Sequence, residues 1–415
     1  MKKFFIYLIL FIEIFPSLVN ASSNSAAKIR NMYYDSLESA IANANRGDII
    51  TLTSNVELDD TLLINKTINL NLNGRSISAP AKVFQVQGGT LNIDGEGIIK
   101  ETKPNYGAIM IKGSSNPNDK DYSVVNVGAN VALEGWSGIF ITHDSAKSYG
   151  VDVNFAGKIK AVNDTEGANG IGIYVNGNIK DQTNAPVVNI LDGAEIISSG
   201  NGLYIAGYST FNIGTAYIEG IQSGIGIKAG TLNIAGATIV CNGKDNTPTE
   251  GYNNGMNASG TAIQIESNSG YAGNMNINIK DGNFKSKESN VIYEYIGKGN
   301  NSLVNSFNIS GGNFTSGSAK EVFALSNSFK EKHNNFITGG KYSSNPNFYL
   351  LPGYTTTIEN DLYNVVKSTM LEVENKNNSS NNNFSWGTII ILIGVLILII
   401  LTYLNRRKII NLLKK

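Results

Sequence analysis

Side chains that commonly carry catalysis are few in this chain and far apart. Its 415 residues hold one cysteine and two histidines, and arginine occurs only at positions 30, 46, 75, 406 and 407. His143 and His333 each stand alone in polar stretches and read as solvated loop histidines. Cys241 follows the apolar run TIV, has no intrachain disulfide partner and reads as an inert inward residue. A serine nucleophile wants a base held beside it, and no spacing supplies one. Glycoside hydrolysis wants two carboxylates flanking the scissile bond. The only adjacent aspartates, Asp59 and Asp60, sit near the start of the chain. One segment offers oxygens suited to Ca²⁺, namely Asn116, Asn118, Asp119 and Asp121. It lacks the glycine and closing glutamate of an EF-hand, and a plain polar turn is the competing reading. No other cofactor is expected.

Asparagine, with 57 residues, is the chemistry that repeats. A phrase of the form apolar-Asn-apolar recurs as INLNLNG, TLNIDG, VVNVGA, VDVNFAG, VVNILDG, TFNIG, TLNIAG, MNINIKDG and SFNISGG, with NFITGG as a weaker tenth copy. The aligned residues are Asn71, Asn92, Asn126, Asn154, Asn189, Asn212, Asn233, Asn278 and Asn308. With the flanking apolar residues pointing inward, each asparagine points out. Coil after coil, this predicts a stripe of amides, read as a structural ladder or as a flat sugar-binding face.

The elements that position this stripe follow from the rest of each repeat. A second phrase alternates with the first, as in GAIMI, GIFI, GIGIYV, GLYIAG and GIGIKAG, and a short third run such as GIIKE or ATIVC lies between. Each run alternates apolar with polar or small residues, the two-residue period of a half-buried strand. Three short strands per repeat, glycine at the corners and no helical period predict an all-β, right-handed parallel β-helix of about ten or more coils. A solenoid needs caps. Asp35-Ser36-Leu37-Glu38 reads as a capping box that opens a short helix, a lid over the first coil. Gly353 to Val366 reads as a closing hairpin that turns at Asn360-Asp361.

Both ends depart from this pattern. Lys2 and Lys3, an apolar run and Val19-Asn20-Ala21 form the layout of a signal peptide over residues 1–21. Residues 22–366 are the ectodomain, and 367–385 are an Asn-rich tether. Residues 386–404 are an uncharged, apolar stretch expected to cross the membrane. The basic tail, 405–415, places the C terminus inside and the ectodomain outside. Without the two ends, 26 Lys and Arg face 32 Asp and Glu, a net charge of −6. That disfavours a nucleic-acid partner, and the ectodomain is expected to be a monomer.

SLESAIANANRGDIITLTSNVELDDTLLINKTINLNLNGRSI and GGKYSSNPNFYLLPGYTTTIENDLYNVV resemble the opening and closing units of pectate-lyase-like right-handed β-helix surface proteins of Gram-positive bacteria. In the closing unit the matching positions include Gly339, Gly340, Pro346, Tyr349, Gly353, Tyr354 and Tyr363. The resemblance implies the fold and admits both adhesins and polysaccharide enzymes. Enzymes of that type use an Arg or Lys base with Asp-bound Ca²⁺, or an Asp pair with a Gly-His-Gly. Here the coils hold no arginine between Arg75 and Arg406 and no Gly-His-Gly.

The favoured expectation is therefore a non-catalytic, membrane-anchored adhesin or polysaccharide-binding protein whose partner is a glycan or a neighbouring surface protein. The alternative is a surface-tethered lyase or hydrolase, which a trio of acidic residues and a lysine on one outer face would favour. Extra residues follow the Gly-led strand at Lys112–Asp121, Thr142–Tyr149, Asn176–Ala185, Glu266–Gly273, Gly297–Asn301 and Asn327–Asn334. They are expected to stack into a polar wall beside Trp136, Phe140, His143, Tyr174 and Tyr204, the candidate binding residues. The insertion Asn242–Ser259 is expected to stand alone at another corner.

Overall fold

The computed structural model describes residues 25–368 other than 104–105, 114–121, 143–149, 163–168, 181–184 and 247–257. The signal-peptide, tether and membrane-span expectations, the Ca²⁺ segment Asn116–Asp121 and His143 lie outside the described residues. Among the described residues no helix is long and apolar enough to cross a membrane.

Strands recur in triplets, each member pairing in parallel with its counterpart one coil on. Among the described residues they form sheets of 12, 13 and 10 strands, called A, B and C here. The apolar-Asn-apolar phrase makes sheet A, the short third run makes sheet B and the Gly-led phrase makes sheet C. The architecture is a parallel β-helix. Inward residues stack as aliphatic ladders, such as Ile139, Ile173, Leu203, Ile225 and Ile263 along sheet C. All five are fully buried in the single long core. Near the C-terminal end the inward ladder of sheet B turns aromatic. Phe284 stacks on Phe314 at 4.6 Å between ring centroids, and Phe314 on Tyr342 at 4.8 Å. These spacings match the coil rise of about 4.8 Å.

Glycine at the entrance to sheet C has a steric cause. A Cβ on Gly138 would lie 2.5 Å from the Ile159 side chain, and one on Gly172 would lie 2.3 Å from both the Gly202 carbonyl and Ile196 Cγ2. The corner from sheet B to sheet C leaves no room for a side chain, which explains the repeated G-I/L phrase.

Both caps combine a helix with antiparallel strands. Helix Leu37–Asn43 buries Leu37 and Ala40 against the first coil. Its N-cap is Ser36, whose hydroxyl accepts from the Ser39 amide at 3.1 Å. The cap is thus Ser36 and not the expected Asp35, one residue further on. Strands Ala27–Ile29 and Met32–Tyr34 add antiparallel edges to sheet A. These three-residue strands are too short to show a period in sequence. At the far end, Tyr354–Glu359 and Leu362–Lys367 form the expected hairpin, with Asn360 and Asp361 at φ of 51° and 60°. Residues 327–334, expected as wall, instead form helix Asn327–Lys332, which buries Phe329 edge-on against Phe307 and Phe336. There His333 closes the helix, and its Nε2 lies 3.1 Å from the Val304 carbonyl.

Candidate functional site

Two outer faces differ from an ordinary strand surface. On sheet A the asparagines form one unbroken ladder. Asn92 donates through Nδ2 to Asn69 Oδ1 at 2.8 Å, and the pattern continues through Asn126, Asn154, Asn189, Asn212, Asn233, Asn278 and Asn308 at 2.6–3.0 Å. Asn69 closes the row on the Asp48 carbonyl at 3.0 Å. The first member is therefore Asn69, not Asn71. INLNLNG offers asparagine at 69, 71 and 73, and pairing of Ile68 with Leu91 and Leu70 with Ile93 selects the register. Nine residues at about 4.8 Å per coil span roughly 38 Å. Each amide uses one N–H and one lone pair in the ladder and keeps one of each for another partner.

Beside the ladder, small residues at the exit from sheet A leave space. Gly128, Ala156, Gly214 and Ala235 follow their asparagines by two positions. They line two open grooves of 810 and 1220 Å³ that share Asn154, Ala156 and Leu191. Leu191, 43% exposed, rises between them. The charges bordering the grooves are Asp94, Asp192 and Lys280. Asp152 lies on the same face, in the strand register of Val124 and Val187. Burial raises its carboxyl above the usual range.

Sheet C carries the aromatic candidates. Met110, Phe140, Tyr174, Tyr204, Gly226, Gln264 and Tyr293 occupy one outward column. Phe140 stacks on Tyr174 at 4.6 Å, Tyr174 stacks on Tyr204 at 4.8 Å, and Trp136 leans on Phe140 and Tyr174. The structure thus brings Trp136, Phe140, Tyr174 and Tyr204 together. Tyr174 and Tyr204 are buried, at 7% and 1% exposed, while Trp136 and Phe140 stay half-buried. Burial pushes the Tyr174 hydroxyl up to about 12, helped by neighbouring Tyr271. Burial likewise holds the Tyr204 hydroxyl well above the ordinary range. The buried indole Nε1 of Trp136 has no hydrogen-bond partner.

Tyr271, from the insertion after strand Thr261–Ser267, packs with this column and lies over Lys228. Sequence reasoning missed Lys228, Glu266 and Tyr271. Lys228 comes from the repeat before that of Glu266 and Tyr271, and the three carry no shared phrase. The Lys228 ammonium sits 3.1 Å from Glu266 Oε2, with both residues almost fully buried.

All six predicted insertions follow strands of sheet C, so they do share one corner. The insertion Asn242–Ser259 does not stand alone. Residues 102–108 and 162–170 leave the same corner from sheet B to sheet C. Along the chain, insertions therefore occur both before and after strands of sheet C. Cys241 is buried as expected, and burial pushes its thiol up to about 11, which keeps it protonated and unreactive. Among the described residues no group of three His, Cys, Asp or Glu is placed to hold a metal ion.

No protein-family model matches the chain, and neither a curated protein nor a solved structure is similar to it.

Proposed function

We propose that this chain is an exported, membrane-anchored, right-handed β-helix that binds an extended polysaccharide without cleaving it. The amide ladder of sheet A and its two flanking grooves carry this reading. A linear polymer finds the same donor and acceptor pair at every coil, and small residues admit its bulk beside them. Leu191 offers an apolar knob for the carbon-rich face of a sugar ring. The bordering charges are mostly acidic, which favours a neutral glycan over a uronate or phosphate polymer. Probing immobilised neutral and acidic polysaccharides with the purified chain tests the reading. Retention on a neutral polymer that survives high salt supports it. Capture by polyanions alone, or by no glycan at all, ends it.

The outer face of sheet B gives the enzymatic reading its one foothold. Glu134, Glu195 and Glu219 lie there with Lys100, Lys158 and Lys160. Lys100 pairs with Glu134 at 3.2 Å and Lys158 with Glu195 at 3.4 Å, while Tyr217 donates to Glu219. Release of new reducing ends or unsaturated sugars, abolished by Glu219→Gln, would favour that reading over simple binding.

A further inference from the structure

The Lys228–Glu266 contact differs from five other ion pairs of the fold in its burial. In the pairs Arg30–Asp48, Lys100–Glu134, Lys158–Glu195, Lys320–Asp245 and Lys341–Glu359 at least one side chain is exposed, whereas these two are 2% and 4% exposed. Register puts them together. Ile227 pairs with Ile265, so Lys228 and Glu266 follow on adjacent coils. Both lie on the outer side of sheet C, among aromatic rings. The Lys228 Nζ is 4.3 Å from the Tyr271 ring centroid and 5.3 Å from that of Tyr204.

Its geometry makes this a poor ion pair. Burying two charges is repaid only when geometry is good and the remaining lone pairs are satisfied. Here Glu266 Oε2 makes no hydrogen bond although Nζ lies 3.1 Å away, so the contact lacks hydrogen-bond alignment. The other oxygen, Oε1, is held by the Asn268 amide at 3.0 Å.

We propose that Lys228 and Glu266 are the two halves of an intramolecular isopeptide bond. The neutral amine of Lys228 attacks Glu266 Cδ, forming the C–N bond. Two protons from the original ammonium pass to the departing Oε2, the C–O bond breaks, and water leaves. Ammonium and carboxylate already contain every atom of the amide and the water, so no oxidant, reductant or co-reactant is needed. Fixed proximity replaces the activation that such a condensation otherwise requires. The Asn268 N–H donates to the oxygen on which negative charge develops. The rings keep bulk water from reversing the step. The product replaces two buried charges with one neutral amide. Its place in the fold makes sense of it. The bond joins the coils on either side of the insertion Asn242–Ser259, where the solenoid is most interrupted.

The inference is independent of glycan binding. Its test is intact-mass spectrometry of the denatured full chain, with proteolytic mapping to fix both termini. The expected result is a mass one water below that calculated for the isolated chain from its own N terminus, and a branched peptide joining Lys228 to Glu266. Lys228→Arg and Glu266→Ala should each restore the full mass. An unreduced mass with a linear, free Lys228 peptide overturns the proposal. So does loss of ammonia with a branch at Asn268, which would make the asparagine the acceptor. The wild-type measurement decides the matter even if a variant fails to fold.

Discussion

The outer faces of sheets A and C stand one corner apart on the same coils, yet they handle polar groups in opposite ways. Sheet A repeats one residue and lets each copy satisfy the next, with the other half of every amide left toward solvent. Sheet C gathers unlike residues from separate repeats and covers them. Its Tyr174, Tyr204, Lys228 and Glu266 are all buried outside the aliphatic core. Repetition yields a surface that tolerates local loss, because each member has two equivalent neighbours. Assembly from single, unlike parts yields a cluster in which each member is hard to replace.

The sharpest contrast should come from charge removal on sheet C. Lys228→Met removes the proposed cross-link and leaves Glu266 as a buried carboxylate with neither amide nor cation, which should cost about 3–5 kcal/mol. Adding Glu266→Leu should recover the part of the loss due to the stranded charge and leave the part due to the missing cross-link, as read by chemical denaturation. A single substitution with no effect on the midpoint would mean that the cluster opens to water. Next in size is the corner behind sheet C. Gly172→Val must displace the Gly202 carbonyl and Ile196 and should cost about 1–3 kcal/mol. Gly236→Ala, at the exit from sheet A, meets only Thr215 Oγ1 at 3.5 Å and should leave thermal stability nearly unchanged. Equal losses at the two sites would erase the distinction between the crowded and the open corner.

Asn189→Ala interrupts the ladder midway and should cost about 0.5–1.5 kcal/mol, since its half-buried neighbours regain water. Its effect on glycan retention should exceed its effect on stability, and the reverse would make the ladder purely structural. The smallest change at neutral pH is Tyr174→Phe. The Tyr174 hydroxyl titrates near 12 in the fold against 10 in an unfolded chain. Its contribution is complete below pH 10 and is lost as pH rises toward 12, because only the unfolded state ionises in that window. Tyr174→Phe should flatten the alkaline decline in denaturation midpoint and do little at pH 7.

The repeated part of the molecule was open to reading because every coil states it again. Nine Asn phrases, the Gly-led strands and the corner shared by the insertions all follow from period and steric need. The row's first member was misplaced because three asparagines alternate at 69, 71 and 73, and only cross-strand pairing chooses among them. Non-repeated features were not legible. Lys228 looks like any lysine after a strand, and only the register with Ile265 sets it beside Glu266. Tyr271 sits in an insertion whose path depends on what it covers, and helix Asn327–Lys332 exists because Phe329 fills the last coil. Tyr204 was read as an outward aromatic, which it is, but outward from the core proved different from exposed.

Every amide in the sheet A row faces the same way, since each Nδ2–H points to the preceding coil and each Oδ1 to the following one. Their dipoles add and do not cancel, and each bond polarises the next. The row is thus vectorial, electropositive toward the N-terminal cap and electronegative toward the hairpin. A polymer with distinguishable ends, laid along such a row, has a forward and a reverse orientation of unequal energy.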